Sequence, residues 1–184
     1  MSIGLWVRGA RPKTLATSIA SVMVGAAMAY VHIEQSGTCI AIYPEPASCA
    51  TAREQQTLLM DRFWPVTILC LLVALFLQIA VNYANDYSDG IRGTDAGRDT
   101  DESKSGKPQR LTASGLVPAK HVLFSAMICA AIACICGVVA VVLAQAWWLL
   151  AVGAASLLAG WFYTGGKHPY GYVGLRSEEH TSEL

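Results

Sequence analysis

Residues 122–166 run for forty-five positions without a charged side chain, and no other stretch limits the fold as strongly. A bilayer core about 30 Å thick is crossed by about twenty helical residues, so this run holds two spans. Gln145 is where a turn between them fits, with Trp147 and Trp148 beside it as interface anchors. Two more uncharged runs precede it, twenty residues at 14–33 and twenty-three at 63–85, the latter broken only by Pro65 near its expected start. Four apolar helices are therefore expected, near 14–33, 63–87, 119–144 and 146–164. Only 14% of the 184 residues are charged, against about 25% in a soluble domain. The fold class is all-α, a polytopic transmembrane helical bundle. A signal peptide is the weaker reading of the basic start and first apolar run, because that run is long enough to span.

Net charge is zero and says nothing about partners, but the distribution of charge does. The start holds Arg8, Arg11 and Lys13. Residues 34–62, read as a loop with Pro44, Pro46 and Gly37, hold only Arg53 and Arg62. Residues 86–120 hold Arg92, Arg98, Lys104, Lys107, Arg110 and Lys120, and the C-terminal segment holds Lys167 and Arg176. Basic segments alternate with poor ones, so both termini and the 86–120 loop are expected on the cytoplasmic side of the membrane. Cys39 and Cys49 then share an outward-facing loop, where a disulfide is possible though spacing alone does not require it. Cys70, Cys129, Cys134 and Cys136 lie in apolar runs and read as small packing residues. Gly25, Gly137, Gly153 and Gly160 suit close helix packing in lipid. His32 and His121 lack metal-ligand partners at useful spacing and read as interfacial.

Chemistry concentrates in residues 82–95, Asn-Tyr-Ala-Asn-Asp-Tyr-Ser-Asp-Gly-Ile-Arg-Gly-Thr-Asp. Asn82, Asp86 and Asp89 stand at i, i+4 and i+7 and share one helix face. Asn85 precedes Asp86, and Asp95 follows in the loop. Carboxylates at the end of a membrane helix are costly unless they pair, line a wet cavity or bind a cation. Mg²⁺ suits them, since it takes one or two protein carboxylates and completes its shell with water and phosphate oxygens. The competing reading is an acidic helix end that is merely solvated. Against it stands Lys104-Ser-Gly-Lys107-Pro-Gln-Arg110 on the same side, where lysine and arginine hold phosphate oxygens well. Acids for the cation and bases for phosphate make a diphosphate site at the cytoplasmic interface. A membrane-embedded diphosphate enzyme takes a lipid-chain substrate.

Here the sequence resembles the UbiA-type intramembrane aromatic prenyltransferases. Trp6 through Gly25, beginning Trp6-Val-Arg-Gly-Ala-Arg-Pro-Lys-Thr-Leu15, looks like the family's opening helix, and residues 82–95 resemble its first aspartate-rich motif. Gln109-Arg110-Leu-Thr-Ala-Ser-Gly115 and Tyr163-Thr-Gly-Gly-Lys-His-Pro169 look like the branch that prenylates 1,4-dihydroxy-2-naphthoate. The match covers roughly residues 4–175. Some relatives have an acid where Gly93 stands, and Asp95 is the nearest candidate to replace it.

The resemblance implies a nine-helix fold in a bacterial cytoplasmic (inner) membrane. It also implies transfer of a polyprenyl group from polyprenyl diphosphate to the naphthoate, with loss of the ring carboxylate as carbon dioxide, giving demethylmenaquinone in its reduced, quinol form. It makes Asp86 and Asp89 catalytic, with Asp86, Asp89 and Asp95 on Mg²⁺ and Asn82, Asn85, Arg92, Lys107 and Arg110 on the diphosphate. The bilayer is a partner and nucleic acid is not expected.

The family continues beyond Leu175 into further helices and a second acidic motif. Here the chain reads Arg176-Ser-Glu-Glu-His-Thr-Ser-Glu-Leu184, without periodicity. Residues 1–175 are expected to be the N-terminal part of the family domain, and 176–184 an artefactual tail that matches a translated sequencing adapter. The chain alone is expected to be inactive. Other readings are a prenyltransferase for a different aromatic acceptor, a CDP-alcohol phosphotransferase, or a non-enzymatic membrane fragment. The phosphotransferase matches Asp86-x-x-Asp89-Gly90 but departs at Gly93-Thr94. A transporter would place its polar groups near the midplane, whereas here they lie at one end.

Overall fold

A computed structural model describes residues 3–37, 46–92, 111, 112, 115 and 117–164. Every element among them is a helix: α1 (Ile3–Gly9), α2 (Pro12–Ser36), α3 (Pro46–Arg92), α4 (Ala119–Ala144) and α5 (Trp148–Thr164). In lipid a helix satisfies its own backbone, and several helix hydroxyls follow the same rule. Thr17, Ser18 and Ser156 each bond a carbonyl three or four residues back, so none of them needs an inter-helix partner.

The central element is α3. Its 47 residues rise about 70 Å, more than twice the hydrocarbon thickness. It packs along α2 on one side and α4 on the other, while α5 touches α3 and α4 only lightly. The contacts fix the directions. Tyr30 meets Phe63 edge-on, with ring centroids 5.5 Å apart, and Thr14 meets Asn82, so α2 runs antiparallel to α3. Arg62 reaches the Leu143 carbonyl at 3.3 Å and Val73 faces Gly137, so α4 is antiparallel too.

Three helices, Pro12–Ser36, Cys49–Ile91 and Ala119–Ala144, are long and apolar enough to cross a membrane. The fourth expected helix is present as α5, but its 17 residues rise only about 25 Å. Its side chains, among them Leu149, Leu157, Leu158 and Phe162, are mostly exposed, as a lipid-facing surface allows. Gln145 does make the turn before it. Its φ is +56°, its N–H and that of Ala146 return to Val142 and Val141, and its side-chain amide also bonds the Val142 carbonyl at 2.8 Å.

Several expectations are corrected. Residues 46–62 are helix, not loop, since Ala, Arg, Glu, Gln, Leu and Met are strong helix formers and Pro46 stands where proline is tolerated. Pro65 therefore lies inside α3 and not near its start. The carbonyl it leaves without an i+4 donor belongs to Asp61, an exposed residue. Of the four glycines expected at helix contacts, only Gly137 has a neighbour within 4 Å of an added Cβ among the described residues. The stretch from Trp6 likened to one opening helix is broken in two, and a separate seven-residue α1 was not expected. It is too short for periodicity to reveal, and it ends at an elbow where Arg11 takes φ +53° before Pro12.

Cys49 is disulfide-bonded, whereas Cys70, Cys129, Cys134 and Cys136 are free thiols; Cys39 lies outside the described residues. Along the helix, Cys49 and Asp86 stand about 55 Å apart, with the apolar stretch between them. Reporter fusions after residue 50 and after residue 105 should therefore land on opposite sides of the membrane. Equal labelling on one side would contradict a spanning α3.

Candidate functional site

The core gathers at one end of the bundle. Ala10, Tyr83, Leu111, Val117, Val122 and Ala126 form a buried cluster, with Leu5, Trp6, Ile79 and Tyr87 packed around it. Four polar side chains are buried at the same end: Asn82, Asp86, Ser88 and Asp89. Asn82, Asp86 and Asp89, expected on one helix face, are 4, 3 and 6% exposed. Burying two carboxylates this deeply is costly without partners, and for Asp86 those partners are visible.

Asn82 holds the elbow between α1 and α2. Its Nδ2 donates to the Ala10 carbonyl at 2.7 Å and to Thr14 Oγ1 at 3.0 Å. The Thr14 hydroxyl in turn donates to the Arg11 carbonyl at 2.9 Å, and Gln78 donates to Asn82 Oδ1 at 3.3 Å. The next residue repeats the tie one turn earlier. Tyr83 donates its hydroxyl to the Trp6 carbonyl at 3.0 Å and meets the Trp6 ring edge-on at 5.6 Å. The Trp6 carbonyl also accepts the Ala10 N–H, so both of its lone pairs are used.

Asp86 holds the other flank. Its Oδ2 accepts the Leu111 N–H at 2.8 Å and its Oδ1 accepts the Thr112 N–H at 3.1 Å. Leu111 is fully buried and fills the space left by the missing Cβ of Gly9. The segment before α4 is thus clasped between α1 and α3, and the 111–115 turn closes with Gly115 at φ +69°.

Helix spacing puts Asn82, Asp86 and Asp89 on one face of α3, where all three are buried, with Asn85 half-buried beside them. Arg92 is the last residue of α3. Asp95, Lys107 and Arg110 lie outside the described residues. Among the described residues no group of three or more His, Cys, Asp or Glu side chains forms a metal cluster. The described chain offers two hard oxygen donors, Asp86 and Asp89, which suits an ion that takes its other ligands from phosphate and water. Sequence reasoning gave no structural role to the residues that hold Asn82 and Asp86, namely Ala10, Thr14, Leu111 and Thr112, nor to Gly9 and Tyr83 packed beside them. Gly9, between Arg8 and the Ala-Arg-Pro elbow, was the available clue to a close approach.

Comparison with known proteins gives one family. The UbiA prenyltransferase family matches residues 57–177. The chain is 40% identical to the 1,4-dihydroxy-2-naphthoate octaprenyltransferase of Mycobacterium tuberculosis, covering 95% of this chain and 48% of that protein. It is 36% identical to the Mycobacterium leprae enzyme of the same name, over 95% of this chain and 47% of that one. The Escherichia coli counterpart is 29% identical, over 92% and 46%. The chain thus spans about half the length of the curated relatives it matches. No solved structure gives a significant match.

The seating of Leu111 on α1 can be tested with one substitution at two glycines. A Cβ on Gly9 would lie 2.5 Å from Leu111 Cδ1, while one on Gly4 meets nothing within 4 Å. Gly9→Ala should cost about 1–3 kcal/mol through overpacking. Gly4→Ala should be neutral or slightly stabilising, since alanine is the better helix former. Thermal unfolding in detergent reads both, and equal shifts would rule out the contact.

Proposed function

The chain belongs to the UbiA prenyltransferase family, and on that premise we propose that it forms the diphosphate-handling end of a membrane prenyltransferase. The reaction is transfer of a polyprenyl group from polyprenyl diphosphate to 1,4-dihydroxy-2-naphthoate, with loss of the ring carboxylate as carbon dioxide. It is proposed for the full-length protein, because the chain spans about half the length of its relatives. The observation that carries the reading is the pair of buried carboxylates, Asp86 and Asp89, at one end of the central apolar helix. The names of the relatives support the naphthoate as acceptor.

Asp86 and Asp89 would hold Mg²⁺, with Asn85 and Asn82 beside them and Asp95 as a further acid. Once bound, the ion supplies Lewis-acid neutralisation of the leaving diphosphate. Arg92, Lys107 and Arg110 would bind the same diphosphate, lysine as a mobile point charge and arginine as a bidentate fork. As the allylic C–O bond lengthens, these cations stabilise the negative charge gathering on the leaving oxygen. The electron-rich ring then takes the allylic carbon, and the apolar helices keep water from it. The cytoplasmic face of a bacterial inner membrane is the proposed location of this end. The disulfide at Cys49, some 55 Å along α3 from Asp86, supports an outward-facing opposite end.

The test uses membranes bearing the full-length protein, a polyprenyl diphosphate and the naphthoate. Asp89→Ala should lower prenyl transfer on the order of a thousandfold, since a ligand to the catalytic ion supplies several kcal/mol of charge stabilisation. Asp61→Ala, at an exposed position beside Arg62, should be nearly silent. Chelation of divalent ions should abolish transfer, and normal turnover by Asp89→Ala would sink the assignment.

A further inference from the structure

Asp86 does more than present oxygens to a cation. Two consecutive main-chain amides, those of Leu111 and Thr112, grip one carboxylate oxygen each, at 2.8 and 3.1 Å. That arrangement fixes the plane of the carboxylate and the position of the turn together. The bonds are charge-assisted and buried, which makes them stronger than neutral ones. Thr112 adds no side-chain tie, for its Oγ1 is buried without a hydrogen-bond partner. The turn is therefore held through its backbone, with Leu111 seated against Gly9 on the far side.

The amide nitrogen of Leu111 is bonded covalently to Arg110, the last residue of Lys107-Pro-Gln-Arg110. On its other side Leu111 accepts the Val117 N–H at 3.4 Å, so the same turn leads into α4. We propose that Asp86 is a positioning residue for diphosphate recognition: its carboxylate holds the Leu111–Thr112 turn and thereby ties the approach to α4 to the helix face that carries Asp89. Each carboxylate oxygen keeps a second lone pair, so the clamp is compatible with a cation on the same group. The role rests on the prenyl-transfer reading, and it separates Asp86 from Asp89. Losing Asp89 weakens the hold on the cation. Losing the Asp86 carboxylate also releases the turn.

Asp86→Asn and Asp89→Asn are compared in the full-length protein. Asparagine is isosteric, but its amide group turns an N–H donor toward an N–H donor and breaks at least one of the two bonds. The KM for polyprenyl diphosphate is measured at rising Mg²⁺, and amide hydrogen exchange is followed over residues 111 and 112. In Asp86→Asn the KM should stay about tenfold or more above wild type even at saturating Mg²⁺. The two amides should lose protection in that variant. In Asp89→Asn excess Mg²⁺ should bring KM back, with protection unchanged. A wild-type KM for Asp86→Asn at saturating Mg²⁺, or unchanged protection of the two amides, would overturn the proposal. A wild-type protein without prenyl transfer overturns the functional reading alone, and the exchange measurement still decides whether Asp86 holds the turn.

Discussion

The bundle depends on one long helix that closes the open ends of its neighbours. A helix leaves unpaired carbonyls at its C-terminus and unpaired amides at its start, and at a membrane surface these need partners. Side chains of α3 supply several of them. Gln56 donates to the Glu34 carbonyl at the end of α2 at 3.0 Å, and Arg62 donates to Leu143 near the end of α4. At the opposite end Asn82 donates to the Ala10 carbonyl after α1, and Asp86 accepts two amides of the turn ahead of α4, which are not groups of that helix itself. Each tie is worth little by itself, about 1 kcal/mol net for a neutral bond, but leaving a buried group unpaired costs more. The residues that hold this end together include those proposed to give it chemistry.

Much of the architecture was legible in the sequence because hydrocarbon imposes a simple rule on length and charge. The helix at 119–144 coincides with α4, and Gln145 is the turn. The shared face of Asn82, Asp86 and Asp89 followed from spacing, and burial bears it out. The first third of α3 was misread because its charges and Pro44 suggested a loop, whereas local propensity carries the helix back to Pro46. The hydrogen bonds of Asp86 were not legible at all. They join residues 25 and 26 positions apart, and no periodicity links a helix carboxylate to main-chain amides beyond a long polar segment.

Both flanks of α3 carry the same division of labour along their length. Apolar contacts such as Tyr30 with Phe63 and Val73 with Gly137 fill the stretch between the ends. Polar contacts from α3 fall at two levels, Gln56 and Arg62 at one and Asn82 to Asp86 at the other. Lipid tails are as apolar as the side chains between those levels, so packing shape and not hydrophobicity holds the helices together there. On α5, Leu157, Leu158 and Phe162 offer an apolar surface suited to lipid or to further helices.

The spacing of those two levels acts as a gauge. Arg62 and Asn82 are twenty residues apart on one continuous helix, a rise of about 30 Å, which equals the hydrocarbon thickness of an average bilayer. A thicker membrane would have to thin around the bundle or draw one polar level into the tails, and a thinner one would tilt α3. Each ångström of mismatch costs a fraction of a kcal/mol, comparable to one of the hydrogen bonds at either level. The acyl-chain length of the lipid thus becomes a physical variable of the elbow and the acidic end, because a helix that tilts carries both with it.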